Sequence, residues 1–568
     1  MTRVLILGGY GNFGGRLAQL LAHDARLTLL IAGRSCAAAK DFCAGLGGRA
    51  TLEPLRFDRD GYVLAQLRET TPEIVVDASG PFQIYGDDPY AVVKACIALK
   101  IHYLDLADAT AFVNGIAIFA GEAQARDVFV LSGVSSFPVL TAAVVRELSR
   151  DMAQIETVTA GVAPSPFADI GLNVFRAIAS YAGKRLAILR DGRKTSAFAI
   201  LDSRRFTIAP PGLLPLLPRR FTLVDVPDLA VLPALFPALR TVWIGAGTVP
   251  AILHRALSML AWLVRLRIVR TLGPFADWMH RASRLLRWGE HRGGMFVAVA
   301  GAAADDSRIA REWHMIAEAD DGPFIPSMAV AAIVSRFLEG HRPAAGARNA
   351  TCDVHLDDYA AQFALRRIFT GVREISAQPL PLYRRILGSA YDTLAEPVRR
   401  LHDLDGKSVA EGRAHIERGG GWVGRRIAAT FGFPDEGADV PVIVEFRRDG
   451  GREIWRRNFA GQVFSSIQEE GQARFDRLLC ERFGRCAFGL ALVVDDGRLR
   501  LILRRWSVFG LPMPAWLAPA CVAYETEEDG RFRFFVELRY RFIGLIVRYR
   551  GWLALRDGTC TSDRSRPN

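Results

Sequence analysis

The chain has 568 residues, half of them hydrophobic, and a formal net charge of +12. That length accommodates three or four domains with ample buried core, and the apolar fraction excludes an intrinsically disordered chain. Eight cysteines without a C-x-x-C pair exclude a disulfide framework and a zinc site, and the ten histidines show no ligand spacing, so no metal is expected. Scattered thiols point to a reducing cytoplasm, and a strand that begins at once predicts no export signal.

The first predicted element is the apolar run Val4 to Leu7, which leads into G-x-G-x-x-G at Gly9, Gly11 and Gly14 and then into an apolar-periodic stretch. Strand, tight turn and helix in that order are what a dinucleotide pyrophosphate requires. Gly9 is expected to permit the turn, Gly11 to admit the phosphates to backbone amides, and Gly14 to let helix and strand pack closely. The helix N-terminus adds partial positive charge. The next strand, Leu27 to Ala32, ends in Gly33-Arg34-Ser35 with no acid for a ribose 2′-hydroxyl. Arg34 and Ser35 instead offer a guanidinium fork and a hydroxyl to a 2′-phosphate, which predicts NADP.

A buried strand within Glu73 to Phe82 ends in Ser79-Gly80-Pro81-Phe82, placing Ser79, Gly80 and Phe82 where ribose or nicotinamide binds. A helix over Pro89 to Leu99 precedes the short strand His102 to Asp108. Val128 to Leu131 supplies another strand, running into Ser132 to Pro138. Alternation of strand and helix over about 140 residues predicts an α/β, doubly wound N-terminal domain.

Gly9-Tyr10-Gly11-Asn12-Phe13-Gly14, Gly33-Arg34-Ser35, Gly80-Pro81-Phe82 with Tyr85-Gly86, and Tyr103-Leu104-Asp105 resemble the NADP-binding domain of saccharopine-dehydrogenase-like proteins. Asp321-Gly322-Pro323-Phe324-Ile325-Pro326 and Gly346-Ala347-Arg348 are similar to the later part of that group. The resemblance, with the strand-end reading, implies cofactor-binding residues Gly9, Tyr10, Gly11, Asn12, Phe13, Gly14, Arg34, Ser35, Asp58, Ser79, Gly80, Pro81 and Phe82. Relatives often carry Asp-x-x-Gly-Glu where this chain has Asp105-Leu106-Ala107-Asp108, so substrate positions do not transfer. Tyr103, Asp105 and Asp108, at the ligand end of the sheet, are the candidate catalytic acids.

Residues 142–377 read as an α+β substrate and dimerisation domain that succeeds the Rossmann domain, 1–141. Strands are expected at Ile155 to Val162, Ala197 to Ile208 and Gly294 to Ala300, and helices at Phe167 to Ala182 and Pro326 to Glu339. His291, Trp313, His314, Asp320 and Asp321 are expected near turns, with surface or packing roles favoured over substrate contact. In fused Rossmann oxidoreductases such a region covers the nicotinamide and pairs subunits, so a homodimer is an expectation here. Between Leu229 and Val264 the only charged side chains are Arg240 and Arg255, and arginines then crowd the stretch from Arg265 to Arg287. No stretch within 229–287 reaches the roughly 20 uninterrupted apolar residues that a membrane span requires, and Pro233, Pro237 and Pro250 break it. It reads either as an interfacial helix with its tryptophans at headgroup depth or as a core or dimer helix with snorkelling arginines.

A boundary falls at Gln378-Pro379-Leu380-Pro381. Residues 378–557 then run from a helical lead-in, Tyr383 to Leu404, into strands: Val409 to Arg418, Val440 to Arg448, Glu453 to Phe459, Ala487 to Asp495, Arg498 to Trp506, Val522 to Glu528 and Arg531 to Tyr540. Asp449-Gly450-Gly451, Asp495-Asp496-Gly497 and Glu528-Asp529-Gly530 are hairpin signals. A mainly antiparallel, curved sheet or half-barrel is expected, with a disordered tail over 558–568. Tyr383 to Gly388, Pro397, Phe459-Ala460-Gly461 and Val547 to Gly551 resemble a domain of unknown function fused behind saccharopine-dehydrogenase-like NADP domains; this implies co-occurrence and no reaction. No basic block interleaved with aromatics marks a nucleic-acid partner. Two function classes stay open: an NADP-dependent oxidoreductase acting on an apolar or lipid-like carbonyl or enoyl small molecule, and a non-catalytic NADP-bound sensor or lipid carrier. A pocket joining the nicotinamide face to an apolar cavity would favour the first.

Overall fold

A computed structural model describes residues 1–248, 250–375, 380–403 and 406–556. Two compact units divide the chain: Met1–Ile208 with Arg219–Thr370, and Ala209–Pro218 with Gly371 onward.

The first unit contains one seven-stranded sheet and all of a second but the end of its last strand, Ile368–Glu374. Six strands of the N-terminal sheet are β1 (Thr2–Leu7), β2 (Leu27–Gly33), β3 (Thr51–Arg56), β4 (Ile74–Asp77), β5 (His102–Asp105) and β6 (Phe129–Ser132). They are parallel, in the order β6-β5-β4-β1-β2-β3, so the chain switches direction across β1 and β4. Such a switch opens a crevice at the carboxyl ends of the strands, where ligands bind in this class of sheet. Val4, Leu5, Ile6, Val75 and Val76 are fully buried, as strands covered on both faces require. The seventh strand, Gly346–Asn349, comes from far beyond residue 141 and runs parallel beside β6.

The second sheet is mixed and runs in the order Ser203–Phe206, Arg219–Leu223, Thr241–Ala246, Gln154–Ala163, Arg292–Ala302, Arg308–Glu318 and Ile368–Glu374. Three expected elements appear nearly at their predicted places: Gln154–Ala163, Arg292–Ala302 and the helix Ile325–Leu338. The single strand read over Ala197 to Ile208 is instead two. Arg193–Phe198 closes a hairpin with Arg185–Arg190, and the chain reverses before Ser203–Phe206. Ile200 takes a left-handed φ of 67° in that reversal. Asp202 pins it by accepting from Arg190 at 2.6 Å and from the Trp243 indole at 3.1 Å. Trp313 and His314 do not lie near a turn; both are buried in the middle of Arg308–Glu318. The segment 229–287 folds as a short helix (Asp228–Leu235), a buried strand (Thr241–Ala246) and two helices, Ala251–Arg265 and Ala276–Leu285. Among the described residues no helix is long and apolar enough to cross a membrane.

The second unit is built on a ten-stranded antiparallel barrel, closed by pairing Cys486–Asp495 with Arg498–Val508. The seven predicted strands are present. Gln462–Glu470, Leu479–Phe483 and Gly544–Leu555 complete the ring, so the expected half-barrel is a full one. Asp496-Gly497 and Asp529-Gly530 each hold two successive positive φ values, 48° and 74°, then 55° and 74°. That pair matches the right-handed twist of the flanking strands. The lead-in is not one helix but Leu382–Leu387 and Glu396–His402, interrupted at Gly388, whose φ is 59°. Gln378, Pro379, Leu404 and the tail 558–568 lie outside the described residues.

Inside the barrel Glu481 accepts from Ser466 Oγ (2.7 Å), Gln468 Nε2 (3.1 Å) and Arg457 (3.3 Å). Arg457 also reaches Ser466 at 2.8 Å, and Tyr383 donates to Gln468 at 2.9 Å. Removing one member of such a buried set leaves the others unpaired. Glu481→Ala is expected to destabilise this unit by about 3–5 kcal/mol in urea unfolding of the full chain, and Glu481→Gln, which keeps an acceptor, by clearly less.

Candidate functional site

The site starts from a close approach of backbone to backbone. β1 ends at Leu7, and the next residue, Gly8, has a φ of 71°, so the left-handed turn residue is Gly8 and not Gly9. The adjacent glycine pair at 8 and 9 was the available signal. A Cβ on Gly9 would stand 2.8 Å from the Ile6 carbonyl oxygen, and one on Gly14 only 2.3 Å from that of Gly8. These two glycines therefore let the helix Asn12–Leu21 start directly over the end of β1. Gly11 is the residue before that helix, and the first amides face the crevice as an anion-binding end.

β2 delivers Arg34 to the same crevice, exposed and without a protein hydrogen bond or ion pair among the described residues. Tyr10 packs across the strand end, where a Cβ on Gly33 would meet its ring at 2.5 Å, and its hydroxyl accepts from the Ser35 amide at 3.1 Å. Ser35 does not line the crevice. Its hydroxyl accepts from the Ala38 amide at 3.2 Å and caps the helix Cys36–Gly45.

β4 ends in a network that the sequence reading missed. Asp77 is fully buried and accepts from the Ser79 amide (3.0 Å) and hydroxyl (2.5 Å) and from the Tyr85 hydroxyl (3.3 Å). Arg59 stands 3.7 Å from the Asp77 carboxylate, and its guanidinium lies over the Tyr85 ring at 3.1 Å. Burial first, and then Asp77, holds the Tyr85 hydroxyl well above its ordinary range, so it stays a proton donor. The network fixes the loop Ser79 to Tyr85. Nothing in the spacing of Arg59 announced its part, and Tyr85 was quoted only within a family pattern.

These strand ends open into one cavity of about 1390 Å³. Its wall includes Tyr10, Gly11, Asn12, Phe13, Arg34, Asp58, Ser79, Gly80, Pro81 and Phe82; Gly9, Gly14 and Ser35 lie behind it. The opposite wall comes from the second sheet and its helices and is largely apolar, with Phe175, Leu253, Leu257, Leu260, Met279 and Met295, joined by Arg176, His280, Arg284 and Arg287. Hydrogen bonds tie the walls together. Asn12 and Arg16 each donate to the Asp169 carbonyl at 3.3 Å, and Asn173 donates to that of Gly80 at 2.9 Å.

The candidate acids separate. Tyr103 is 1% exposed inside the core beneath the sheet, and burial lifts its hydroxyl far above the ordinary range. Asp105 is also fully buried, its Oδ1 accepting from Gly133 N–H (2.7 Å), Ala107 N–H (3.0 Å) and Ser132 O–H (3.0 Å). It staples the end of β5 to the end of β6. Neither of these two candidate catalytic acids lines the cavity. Asp108 does line it, held by Gln83 Nε2 at 3.0 Å. Burial, reinforced by the nearby Asp225, raises its pKa. Of the five middle-region candidates Asp320 reaches the cavity, while His291 stacks on Phe167 at 3.6 Å.

Residues 4–131 match the family model described as the saccharopine dehydrogenase NADP binding domain, and residues 394–553 match a domain of unknown function. Among solved structures, apo saccharopine dehydrogenase (L-Glu forming) from Saccharomyces cerevisiae is similar at 13% identity and a TM-score of 0.46, covering 66% of this chain and all of that one. The WlbA dehydrogenase from Thermus thermophilus, in complex with NAD, is similar at 12% identity and a TM-score of 0.28, covering 65% of this chain and 93% of that one. No curated protein matches in sequence.

The packing of this site sets two outcomes. Gly14→Ala is expected to cost about 1–3 kcal/mol in thermal unfolding and to abolish nucleotide binding, because the Gly8 carbonyl cannot retreat from β1. Burial pushes Asp105 up to about 7, whereas an unfolded aspartate ionises near 4. Between those pH values the folded chain keeps at Asp105 a proton that the unfolded chain releases, so the contribution of this group to stability falls as pH rises from about 4 to about 7 and then levels. Asp228, also pushed up to about 7 by burial, adds a like slope, while His102 and His254, pushed down to about 4, oppose it, so the check is the difference between variants: the stability of the wild type relative to Asp105→Asn is expected to fall between pH 4 and 7 in melting temperatures.

Proposed function

We propose that this chain is an NADP-dependent oxidoreductase that acts on an apolar, lipid-like carbonyl or enoyl compound. The coarser part, a nicotinamide-dependent oxidoreductase, rests on the family match over residues 4–131 and on the fold. One observation carries the finer part: a single cavity runs from the glycine loop to a wall of leucine, methionine and phenylalanine side chains. A nucleotide laid along the strand ends and an apolar substrate against that wall would share one water-excluding space.

The residues present fit the nucleotide. At Gly9 and Gly14 a Cβ would collide with the Ile6 and Gly8 carbonyl oxygens, so the loop keeps its tight path only with glycine there, and the amides that begin the first helix suit a pyrophosphate. Arg34, with no acid at its strand end, suits a 2′-phosphate and supports NADP over NAD. The Ser79 to Phe82 loop, held by Asp77, would bear on the ribose and nicotinamide side. When bound, the nicotinamide supplies or accepts a hydride. The chain must then position the substrate and manage one proton. Asp108 supports that role, since a half-buried carboxyl with a raised pKa on the cavity wall holds a proton nearer neutrality. The second reading, a nucleotide-bound carrier, draws on the withdrawal of Tyr103 and Asp105 from the cavity. It predicts nucleotide binding without turnover.

Titration of nicotinamide fluorescence decides the cofactor. Tight NADPH binding is expected, with Arg34→Ala weakening NADPH by about ten- to a hundredfold and leaving NADH unchanged, as loss of charge-assisted hydrogen bonds requires. Failure of both nucleotides to bind would overturn the proposal. With long-chain enals and enoyl thioesters, NADPH oxidation is expected, and Asp108→Asn should lower kcat by about a hundredfold with little change in KM. Binding without oxidation of any such compound would favour the carrier.

A further inference from the structure

The helices Ala251–Arg265 and Ala276–Leu285 are apolar on two sides. Their inner sides, through Leu253, Leu257 and Met279, wall the cavity. Their outer sides, with the turn that follows the first, present Met259, Trp262, Leu266, Ile268, Trp278 and Leu285, exposed by 46–83%. On the first helix Ile252, Arg255, Met259, Trp262 and Leu266 recur at helical spacing, so they form one outward stripe. A stripe of that composition facing water costs free energy unless something covers it.

Charge says what covers it. Between residues 251 and 288 seven arginines stand against one acid, Asp277. Arg255, Arg267, Arg270, Arg281 and Arg284 are exposed and carry no ion pair among the described residues. Guanidinium groups beside tryptophan and aliphatic side chains on two helices that wall one cavity match an anionic bilayer interface, where rings sit at headgroup depth and cations meet lipid phosphate. The cavity opens there as well, since Ile252, Trp278 and Arg284 are at once exposed and part of its wall.

We propose that the face formed by these two helices docks on an anionic lipid bilayer and that the mouth beside Ile252, Trp278 and Arg284 admits substrate from it. The docking stands on the exposed face. Only the admission of substrate rests on the oxidoreductase reading, and vesicle binding is measured without nucleotide or substrate, so either can fail alone.

Co-sedimentation of the full chain with phosphatidylcholine vesicles, with and without phosphatidylglycerol, tests it. Binding is expected only with phosphatidylglycerol, weakening with salt, and falling at least about tenfold in Met259→Ser/Trp262→Ser and in Arg267→Glu/Arg270→Glu. None of these four residues lines the cavity, so NADPH titration should match the wild type and show that each variant is folded. Should the serine variant fail to fold, the exposed charge-reversal variant carries the test. No vesicle binding, or equal binding by wild type and both variants, overturns the proposal. So does a concentration-dependent dimer in size-exclusion chromatography that the same substitutions dissolve, because the face then covers a second copy. Tighter retention by duplex DNA than by the vesicles overturns it equally.

Discussion

The cavity of the first unit depends on one steric condition, the passage of the Asn12–Leu21 helix over the Gly8 carbonyl. With a hydrogen in place of Cβ at Gly14 that approach is open; with any side chain it is blocked at 2.3 Å. Because the helix can start there, its free amides face the crevice between β1 and β4, and Arg34 arrives from β2 on the same side. The anion-binding end and the cation at the β2 end are thus consequences of close backbone packing. Asp77 applies the same economy one strand away, where a single buried carboxylate orders Ser79, Tyr85 and Arg59.

A crevice becomes an enclosed site only when something roofs it, and here the roof is the second sheet with its helices. The contacts that hold it in place are polar and fall on the glycine loop itself: Asn12 and Arg16 to the Asp169 carbonyl, and Asn173 to Gly80. Gly171, with φ 76°, passes so close to Asn12 that a Cβ would lie 2.2 Å from its amide nitrogen. The loop at 164–171 therefore reports directly on the nucleotide end of the cavity. The glycine loop and the apolar wall are thus joined by direct hydrogen bonds.

Legibility from the sequence tracked how local each cause was. The glycine loop, the Arg34 strand end and the three hairpin turns were readable because each is set by a few neighbouring residues. Gly9 was credited with a turn that Gly8 makes, since spacing alone does not tell which of two adjacent glycines turns left-handed. Tyr103 and Asp105 lie outside the cavity wall for a different reason. Their position at a strand end was right, but whether a side chain enters the crevice or the core depends on helices and strands far along the chain. Asp105 meets Ser132 and Gly133, and Tyr103 packs among Val92, Ile97 and Ile116. Arg59 and Asp225 carried no pattern, because their partners are distant in sequence. The split of Ala197 to Ile208 needed Asp202 to meet Arg190 and Trp243, which periodicity does not encode.

The segment 229–287 shows why composition could not choose between core and surface. Its first part is core: Leu232, Val242, Trp243 and Ile244 are nearly or fully buried. Its second part repeats the same apolar vocabulary on helices with two apolar sides, one toward the cavity and one toward solvent. A helix that walls an apolar cavity needs one such side, and the cavity accounts for Leu253, Leu257 and Met279. It does not account for Met259, Trp262 or Leu266, which contribute nothing to that wall. Those residues would be replaceable by polar ones at no cost to the cavity. Their presence beside arginines that lack acidic partners therefore constrains what lies outside the protein, and the constraint is one of apolar depth combined with negative charge.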